Sequence, residues 1–335
     1  MSREDHSIVT VRAQVTSPSR SSARDIRANK DSMSEVGASP MVSIIVPSFN
    51  QAPFLRRCID SILDQGHRPL EIVVVDGAST DGTLEVLSSY ADTPEVSWLS
   101  EPDDGPADAV NKGLARVRGP IVGIQSSDDY YLPGALQSAV AAFRRDGDIG
   151  LVYGDVQSVD TEERVLRVWR RPPHRNDLCI ALCICVPQSS AFFSRELARE
   201  LGGWRTTYHT ADWDLWLRMM FRTRTVKIDA VLSAWRVYPG QRTGQRQRVF
   251  SDFRQMLDES PDVRHGDWPT RQAARSAKQL IGASFDNRGP WSRARYLVFA
   301  VALYPPVWRH IPGKRGMLPT ARGVWRSMTK QRRRQ

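Results

Sequence analysis

Cysteine is scarce in this sequence, and long apolar runs are absent from it. Only 4 of the 335 residues are cysteine, and Cys179, Cys183 and Cys185 have spacings that do not match paired zinc-binding patterns. No apolar stretch is long enough to cross a bilayer, and the first residues contain no apolar signal region. We therefore expect packed, reduced thiols in a cytoplasmic protein, with neither secretion nor a spanning helix.

Two motifs of common enzyme classes are missing as well. The sequence contains neither a GxSxG nucleophile elbow nor a P-loop, so nothing indicates a covalent serine mechanism or a P-loop nucleotidase. What remains is an ordinary globular composition, with 41% hydrophobic and 25% charged residues. This composition excludes a wholly disordered, collagen-like or multi-span membrane protein.

The positive charge is concentrated at one end of the chain. The formal net charge is +10, yet residues 41–240 carry 21 Lys and Arg against 26 Asp and Glu. Residues 241–335 carry 20 Lys and Arg against 6 Asp and Glu. This asymmetry argues against a uniformly basic nucleic-acid binder, and it makes an anionic membrane surface a candidate partner for the C-terminal part.

Strands and helices are predicted to alternate along residues 41–145. Apolar runs predict strands and helically spaced apolar stripes predict helices, in the order strand 42–46, helix 54–63, strand 70–75, helix 84–90, strand 96–99, helix 106–117, strand 121–125 and helix 133–145. Four such units favour an α/β fold, with a Rossmann-like, mostly parallel sheet flanked by helices. Ligands bind such sheets at the carboxyl ends of the strands.

The chain is predicted to have three parts. Residues 1–40 are polar and aperiodic, which is typical of a disordered leader. Residues 41–240 form the predicted catalytic domain, and residues 241–335 form a basic, mainly helical extension. The apolar segment Tyr296–Trp308 is too short to span a bilayer but suits a membrane interface. We expect a protein that is peripheral at the inner face of the cell membrane.

Five ordered segments carry a family resemblance. They are VPSFN (46–50), VVVDGASTDGT (73–83), EPDDGPADAVNKG (101–113), SSDD (126–129) and the stretch from Pro187 to Trp216. Together they resemble glycosyltransferase family 2, whose members have the GT-A fold and transfer sugars with inversion from nucleotide donors. The resemblance implies a nucleotide-sugar donor, a divalent cation, a glycan or lipid-linked acceptor, and no nucleic-acid partner.

The adjacent carboxylates Asp128 and Asp129 are the candidate metal site. Hard oxygen ligands suit Mg²⁺ or Mn²⁺, which neutralises a leaving diphosphate, and such sites often use one or two carboxylates plus phosphate oxygens. By resemblance Asp129 binds the metal and Asp128 meets the ribose or the diphosphate. The alternative is an acidic turn before the following helix.

The resemblance also implies a set of donor-binding residues, namely Pro47, Ser48, Phe49, Asn50, Asp76, Ser79, Lys112, Ser127, Asp128 and Arg236. Asp76 would accept a hydrogen bond from a base ring N–H, and its alternative role is a structural Asx turn. Gly77 stands where many relatives have a second Asp, so uracil, thymine and guanine all remain open. For Lys112, a solvated helix face is an equal alternative.

Asp212 is the candidate general base, because by resemblance it starts a helix on the acceptor side. Its alternative role is a helix N-cap, and Asp214 is expected to be structural. Tyr238 replaces a His of relatives, which leaves Arg236 to take more of the phosphate charge. A non-catalytic nucleotide-sugar-binding or scaffold protein of a membrane-associated glycan assembly complex is the alternative function.

Overall fold

The predicted alternation of strands and helices is present over residues 42–145. The structure is a computed structural model, and it describes residues 39–183, 186–239, 241, 245–285 and 289–310. Nearly all of the predicted leader, the final 25 residues and Cys185 lie outside these ranges. Residues from Ser39 onward belong to one compact unit.

The strands are β1 (Val42–Ser48), β2 (Leu70–Asp76), β3 (Val96–Ser100), β4 (Ile121–Ile124), β5 (Tyr130–Tyr131), β6 (Ile149–Val159), β7 (Val165–Trp169), β8 (Ala191–Ser194) and β9 (Arg224–Arg236). The helices are α1 (Ala52–Leu63), α2 (Thr83–Ser88), α3 (Pro106–Arg116), α4 (Ala135–Arg145), α5 (Asn176–Leu182), α6 (Arg195–Glu200), α7 (Ala211–Met220), α8 (Arg246–Glu259), α9 (Pro261–Arg264), α10 (Trp268–Phe285) and α11 (Pro290–Leu303).

Within the described residues the strands form one sheet in the order β3-β2-β1-β4-β8-β6-β9-β5, with β7 added beside β6. The half that contains β1 to β4 is parallel, and β1 and β2 are buried along nearly their whole length. The half that contains β5 to β9 is mixed, because only β6 and β9 pair in parallel there. The predicted α/β sheet flanked by helices is confirmed. Its strands are all parallel only in the half that contains β1 to β4.

Close packing sets helix α3 against the sheet. Gly113 lies where a Cβ atom would come within 2.4 Å of the Ile45 side chain, so only a glycine lets the helix approach β1 this closely. The predicted Pro at the start of this helix is confirmed as Pro106. The close contact brings the loop that precedes α3 to the carboxyl end of the sheet.

The described helices of the C-terminal extension pack on the same core as the sheet. Phe253 and Met256 of α8, and Ala273 and Ala277 of α10, belong to the apolar cluster that also contains the strand residues. No helix in the described part of the chain is both long and apolar enough to cross a membrane. The predicted packing of the thiols is confirmed for Cys58, Cys179 and Cys183, which are buried.

Candidate active site

The carboxyl ends of β1 and β2 lie side by side, with Ser48 paired to Asp76. Beyond the last pair, the Gly77 N–H donates to the Ser48 carbonyl at 2.9 Å. Pro47 fits here without disrupting the sheet. Strand β4 pairs with β1 only as far as Ile45, so no neighbouring strand needs an N–H donor from residue 47. The two loops that follow β1 and β2 therefore start from one rigid edge.

These two loops are joined by hydrogen bonds of their own. The Asn50 N–H donates to Ser79 Oγ at 2.7 Å, and Asn50 Oδ1 accepts from the Thr80 N–H at 2.9 Å. Asn50 and Ala78 have φ angles of +52° and +62°, a conformation that non-glycine residues rarely adopt. Strained backbone of this kind is held by its surroundings and is frequent at ligand sites.

Asp76 has no exposed surface, and its carboxylate is used inside the β2–α2 loop. Oδ2 accepts from the Ser79 N–H at 2.9 Å and from Ser100 Oγ at 2.6 Å, while Oδ1 accepts from Ser79 Oγ. This is the Asx-turn arrangement that was the alternative to base binding. Asp76 and Ser79 thus shape the loop through their hydrogen bonds to each other.

Asp128 and Asp129 follow β4, as predicted, and their positions depend on distant parts of the chain. The two-residue strand β5 pairs with β9 through Tyr130 and Ala234, which brings the end of β9 beside the two carboxylates. The Arg236 N–H donates to Asp129 Oδ1 at 2.9 Å. Asp129 is buried and Asp128 is partly buried.

Both carboxylates hold their protons more tightly than ordinary aspartates. Burial is the main reason that the pKa of Asp129 lies well above its usual range, and the negative charge of Asp128 raises it further. Burial also raises the pKa of Asp128. A cation beside this pair would offset both causes, since it removes the repulsion and replaces the lost solvation.

The donor set suits a hard divalent cation. Asp129 Oδ2 accepts no hydrogen bond from any described residue, and the neighbouring Asp128 supplies further oxygen atoms. Within the described residues there is no group of three or more His, Cys, Asp and Glu side chains that would enclose a metal. The residues present therefore fit Mg²⁺ or Mn²⁺, whose remaining ligands are waters or phosphate oxygens.

The side chain of Arg236 is buried and is directed away from the carboxylates. Its guanidinium stacks over the Phe54 ring at 4.7 Å and forms an ion pair with Glu163 at 3.1 Å. It also donates to the main-chain carbonyls of Asp128, Asp160 and Thr161. Most of its N–H groups already donate to atoms of the protein. Few are left for the predicted contact with a diphosphate.

Tyr238 contacts the carboxylate pair directly. Its hydroxyl donates to Asp128 Oδ2 at 2.8 Å and accepts from Gln51 Nε2 at 3.3 Å. Burial and the charge of Asp128 raise the pKa of Tyr238 to about 12. The phenol is therefore neutral at physiological pH and orients Asp128 as a hydrogen-bond donor, a role that a metal-binding His would not fill.

Lys112 lies on helix α3, and its side chain reaches back to the β3–α3 loop. Its ammonium group lies 3.0 Å from Glu101, 3.2 Å from Asp108 and 3.0 Å from the Pro102 carbonyl. Hydrogen bonding to Glu101 raises the pKa of Lys112. These contacts differ from a freely solvated helix face. They give Lys112 a role in fixing the loop between β3 and α3.

Asp212 lies in the first turn of α7, where the helix dipole stabilises a carboxylate. Thr210 is the N-cap residue of this helix, so Asp212 does not have the capping role that was its alternative. Asp214 is buried, and it is paired with Arg218 at 2.6 Å and with Arg205 at 3.2 Å. Asp214 is thus a structural aspartate, whereas Asp212 is partly exposed.

The remaining predicted residues differ in exposure. Phe49 is 59% exposed although it is a large apolar side chain at the sheet edge. Ser48 and Ser127 are buried, and Ser48 Oγ has no hydrogen-bond partner among the described residues. A buried hydroxyl without a partner is uncommon and marks a position that a ligand can satisfy.

Sequence reasoning missed Gln51, Glu163 and Cys58 near the carboxylates. Gln51 and Glu163 support Tyr238 and Arg236, and Cys58 Sγ lies 3.5 Å from the Ser126 carbonyl under the acidic pair. Each of these contacts joins residues that are far apart in sequence. No local pattern signals such a contact.

Comparison with known proteins agrees with this arrangement. Residues 43–202 match the family described as "Glycosyl transferase family 2". A PGL/p-HBAD biosynthesis glycosyltransferase of Mycobacterium bovis is 33% identical over 185 residues, which is 54% of this chain and 70% of that protein. A hyaluronan synthase of Pasteurella multocida is 35% identical over 130 residues, 38% of this chain but only 13% of the synthase.

Solved structures share the fold. The mannosyltransferase PcManGT from Pyrobaculum calidifontis, solved with GDP-Man and Mn²⁺, superposes with a TM-score of 0.58 at 22% identity, covering 92% of this chain and 87% of that one. S. aureus TarS, solved with UDP-GlcNAc, gives a TM-score of 0.60 at 16% identity, covering 81% of this chain and 82% of that one. At such identities the likeness shows the fold, which is the predicted GT-A arrangement.

Proposed function

This chain belongs to glycosyl transferase family 2, and from that premise we propose that it moves a sugar, with inversion, from a nucleoside diphosphate to a hydroxyl of a glycan or glycolipid. The observation that carries the proposal is the pair Asp128 and Asp129 at the carboxyl end of β4. A buried carboxylate beside a partly buried one, both with raised pKa values, would be costly without a cation to pair with them. A cation bound there needs the phosphate oxygens of a donor to complete its ligands.

The residues around this pair have distinct tasks in the proposed reaction. Asp129 would hold Mn²⁺ or Mg²⁺ through Oδ2, while the Arg236 N–H fixes its other oxygen. Tyr238 keeps Asp128 ionised and correctly oriented. When bound, the cation supplies Lewis-acid stabilisation of the leaving diphosphate. Relatives of the same fold were solved with GDP-Man and Mn²⁺ and with UDP-GlcNAc, which supports a nucleotide sugar as donor here.

Asp212 is the proposed general base. Its carboxylate would take the proton of the acceptor hydroxyl as that oxygen bonds to the anomeric carbon, and the bond to the diphosphate breaks with its electron pair on the leaving oxygen. Its place in the first turn of α7 supports this role, since the turn favours the ionised form. Asp214 is excluded from the role by its pairing with Arg218 and Arg205.

A peripheral position at the inner face of the cell membrane is part of the proposal. Residues 241–335 hold 20 Lys and Arg against 6 Asp and Glu, which suits anionic lipid headgroups. In α11, Val298 and Phe299 are 68% and 54% exposed, as expected for a helix that lies against a lipid surface. A lipid-linked acceptor would be reached from such a position.

A donor screen tests the proposal. Purified protein with Mn²⁺ or Mg²⁺ is given a panel of nucleotide sugars and glycan or glycolipid acceptors, and released nucleoside diphosphate and product mass are measured. We expect Asp212→Asn to bind the donor but to lose transfer by about 100-fold or more. Asp92→Asn, in an exposed turn, should match the wild type. Release from no donor contradicts a transferase, and tight donor binding without turnover supports the scaffold alternative.

A further inference from the structure

Gly77 leaves a space beside β2 that a carboxylate from another loop occupies. A Cβ atom on residue 77 would lie 2.9 Å from Asp103 Oδ2 and 3.2 Å from the Phe49 ring. The φ angle of Gly77 is not positive, so the backbone conformation does not require a glycine here. Instead, the Asp103 side chain occupies the space that a side chain at residue 77 would need.

Asp103 is held firmly in that space. Its Oδ1 accepts from the Gly105 N–H at 2.8 Å, and the Glu101 N–H ties the loop to the Asp76 carbonyl at 3.0 Å. Lys112 fixes the same loop through Glu101 and Asp108. Among the described residues, none donates a hydrogen bond to Asp103 Oδ2. One oxygen of a positioned carboxylate is thus left for a ligand.

The Phe49 ring lies next to the same position at Gly77 as the Asp103 carboxylate. It is 59% exposed, it lies against the same small volume, and its loop is fixed by the Asn50 contacts to Ser79 and Thr80. An exposed aromatic ring on a rigid loop offers a stacking surface for a planar group. A ring beside a carboxylate oxygen is the arrangement that recognises a flat molecule with an N–H at its edge.

We infer that Asp103 is the residue that selects the nucleobase of the donor, with Phe49 as the stacking surface. The inference rests on the proposed function. Uracil, thymine and guanine present a ring N–H to a carboxylate, whereas adenine and cytosine present a ring-nitrogen lone pair that the anion repels. Asp76 suits this role less well, because its carboxylate has no exposed surface and already accepts three hydrogen bonds.

Calorimetric titration of UDP, GDP, CDP and ADP in the presence of Mn²⁺ tests the inference. The wild type should bind UDP or GDP at least tenfold more tightly than CDP and ADP. In Asp103→Asn the amide both donates and accepts, so this preference should fall to about threefold or less. Asp104→Asn, at the exposed neighbour, should keep the wild-type order.

A swap of the carboxylate between the two positions gives a second readout. Gly77→Asp alone should weaken nucleotide binding, because its Cβ meets the Asp103 carboxylate. Adding Asp103→Gly should restore both affinity and base preference to within a few-fold of the wild type. Thermal unfolding of each variant shows that the fold is kept.

The outcomes separate the inference from the proposed function. Unchanged nucleotide affinities and order in Asp103→Asn overturn the inference, while transfer activity in that variant leaves the proposed function intact. A wild type that binds none of these four nucleotides, and dTDP no better, in the presence of Mn²⁺ overturns the proposed function itself.

Discussion

Tyr238 orients Asp128 in the proposed metal site through one hydrogen bond. That bond favours the ionised carboxylate and lowers the pKa of Asp128 against the opposing effect of burial. In Tyr238→Phe the pKa of Asp128 should rise further, so that cation binding is lost at a less acidic pH. We expect Mn²⁺ affinity near pH 6 to fall on the order of tenfold, measured by titration across pH 5 to 8.

Tyr90→Phe is the matched control for this change. Tyr90 also donates to an aspartate, Asp60, at 2.5 Å, but at a contact between α1 and the end of α2. It should alter the free energy of unfolding and leave the Mn²⁺ profile unchanged. Equal Mn²⁺ profiles for Tyr238→Phe and the wild type would show that the phenol has no part in the metal site.

The sequence indicates where the candidate carboxylates lie in the fold but not which side chains hold them. Asp128 and Asp129 could be predicted because they directly follow a strand, and strand ends converge in a parallel sheet. The contacts of Tyr238 and Arg236 with them span more than 100 residues, so no local spacing encodes them. The buried carboxylate of Asp76 accepts a hydrogen bond from Ser100 on a third strand. Local sequence did not predict this contact either.

Strand β9 supports the proposed metal site, and Arg236 anchors this strand to its surroundings. Arg236→Lys removes the planar donor group that joins β9 to the β6–β7 turn through the Asp160 and Thr161 carbonyls and the Glu163 carboxylate. We expect the free energy of unfolding to fall by about 2 kcal/mol, measured by denaturant titration. Arg164→Lys, on the exposed side of the same turn, should change it by less than about 0.5 kcal/mol.

The two roles suggested for Arg236 predict different results. An arginine that bound the diphosphate would show wild-type stability and weakened donor affinity in Arg236→Lys. An anchor shows reduced stability with a smaller effect on donor affinity. The first result would contradict the anchoring role.

Among the elements, those of the parallel half of the sheet could be predicted, and short ones in the mixed half could not. Strands β1 to β4 are apolar runs with clear ends, and their bounds agree with the sequence to within about two residues. Strands β5 and β8 have only 2 and 4 residues, and each exists through pairing with strands distant in the chain. Helix α5 lies in the apolar run around Cys179, which has no helical stripe of its own.

For the whole molecule, uneven charge is the feature that suggests where the protein works. If the basic extension binds anionic lipid, the full chain should sediment with phosphatidylglycerol vesicles at low salt and be released as salt is raised to about 0.5 M. Vesicles of phosphatidylcholine alone are the control. Binding to RNA with no binding to anionic vesicles would contradict a membrane role.

The central claim is that Asp128 and Asp129 bind a donor diphosphate through a divalent cation. Its most direct test is calorimetric titration of UDP and GDP into the wild type with Mn²⁺, into the wild type with EDTA, and into Asp129→Asn with Mn²⁺. We expect Mn²⁺-dependent binding that weakens at least tenfold both with EDTA and in Asp129→Asn. Binding that is equally tight in all three cases would contradict it.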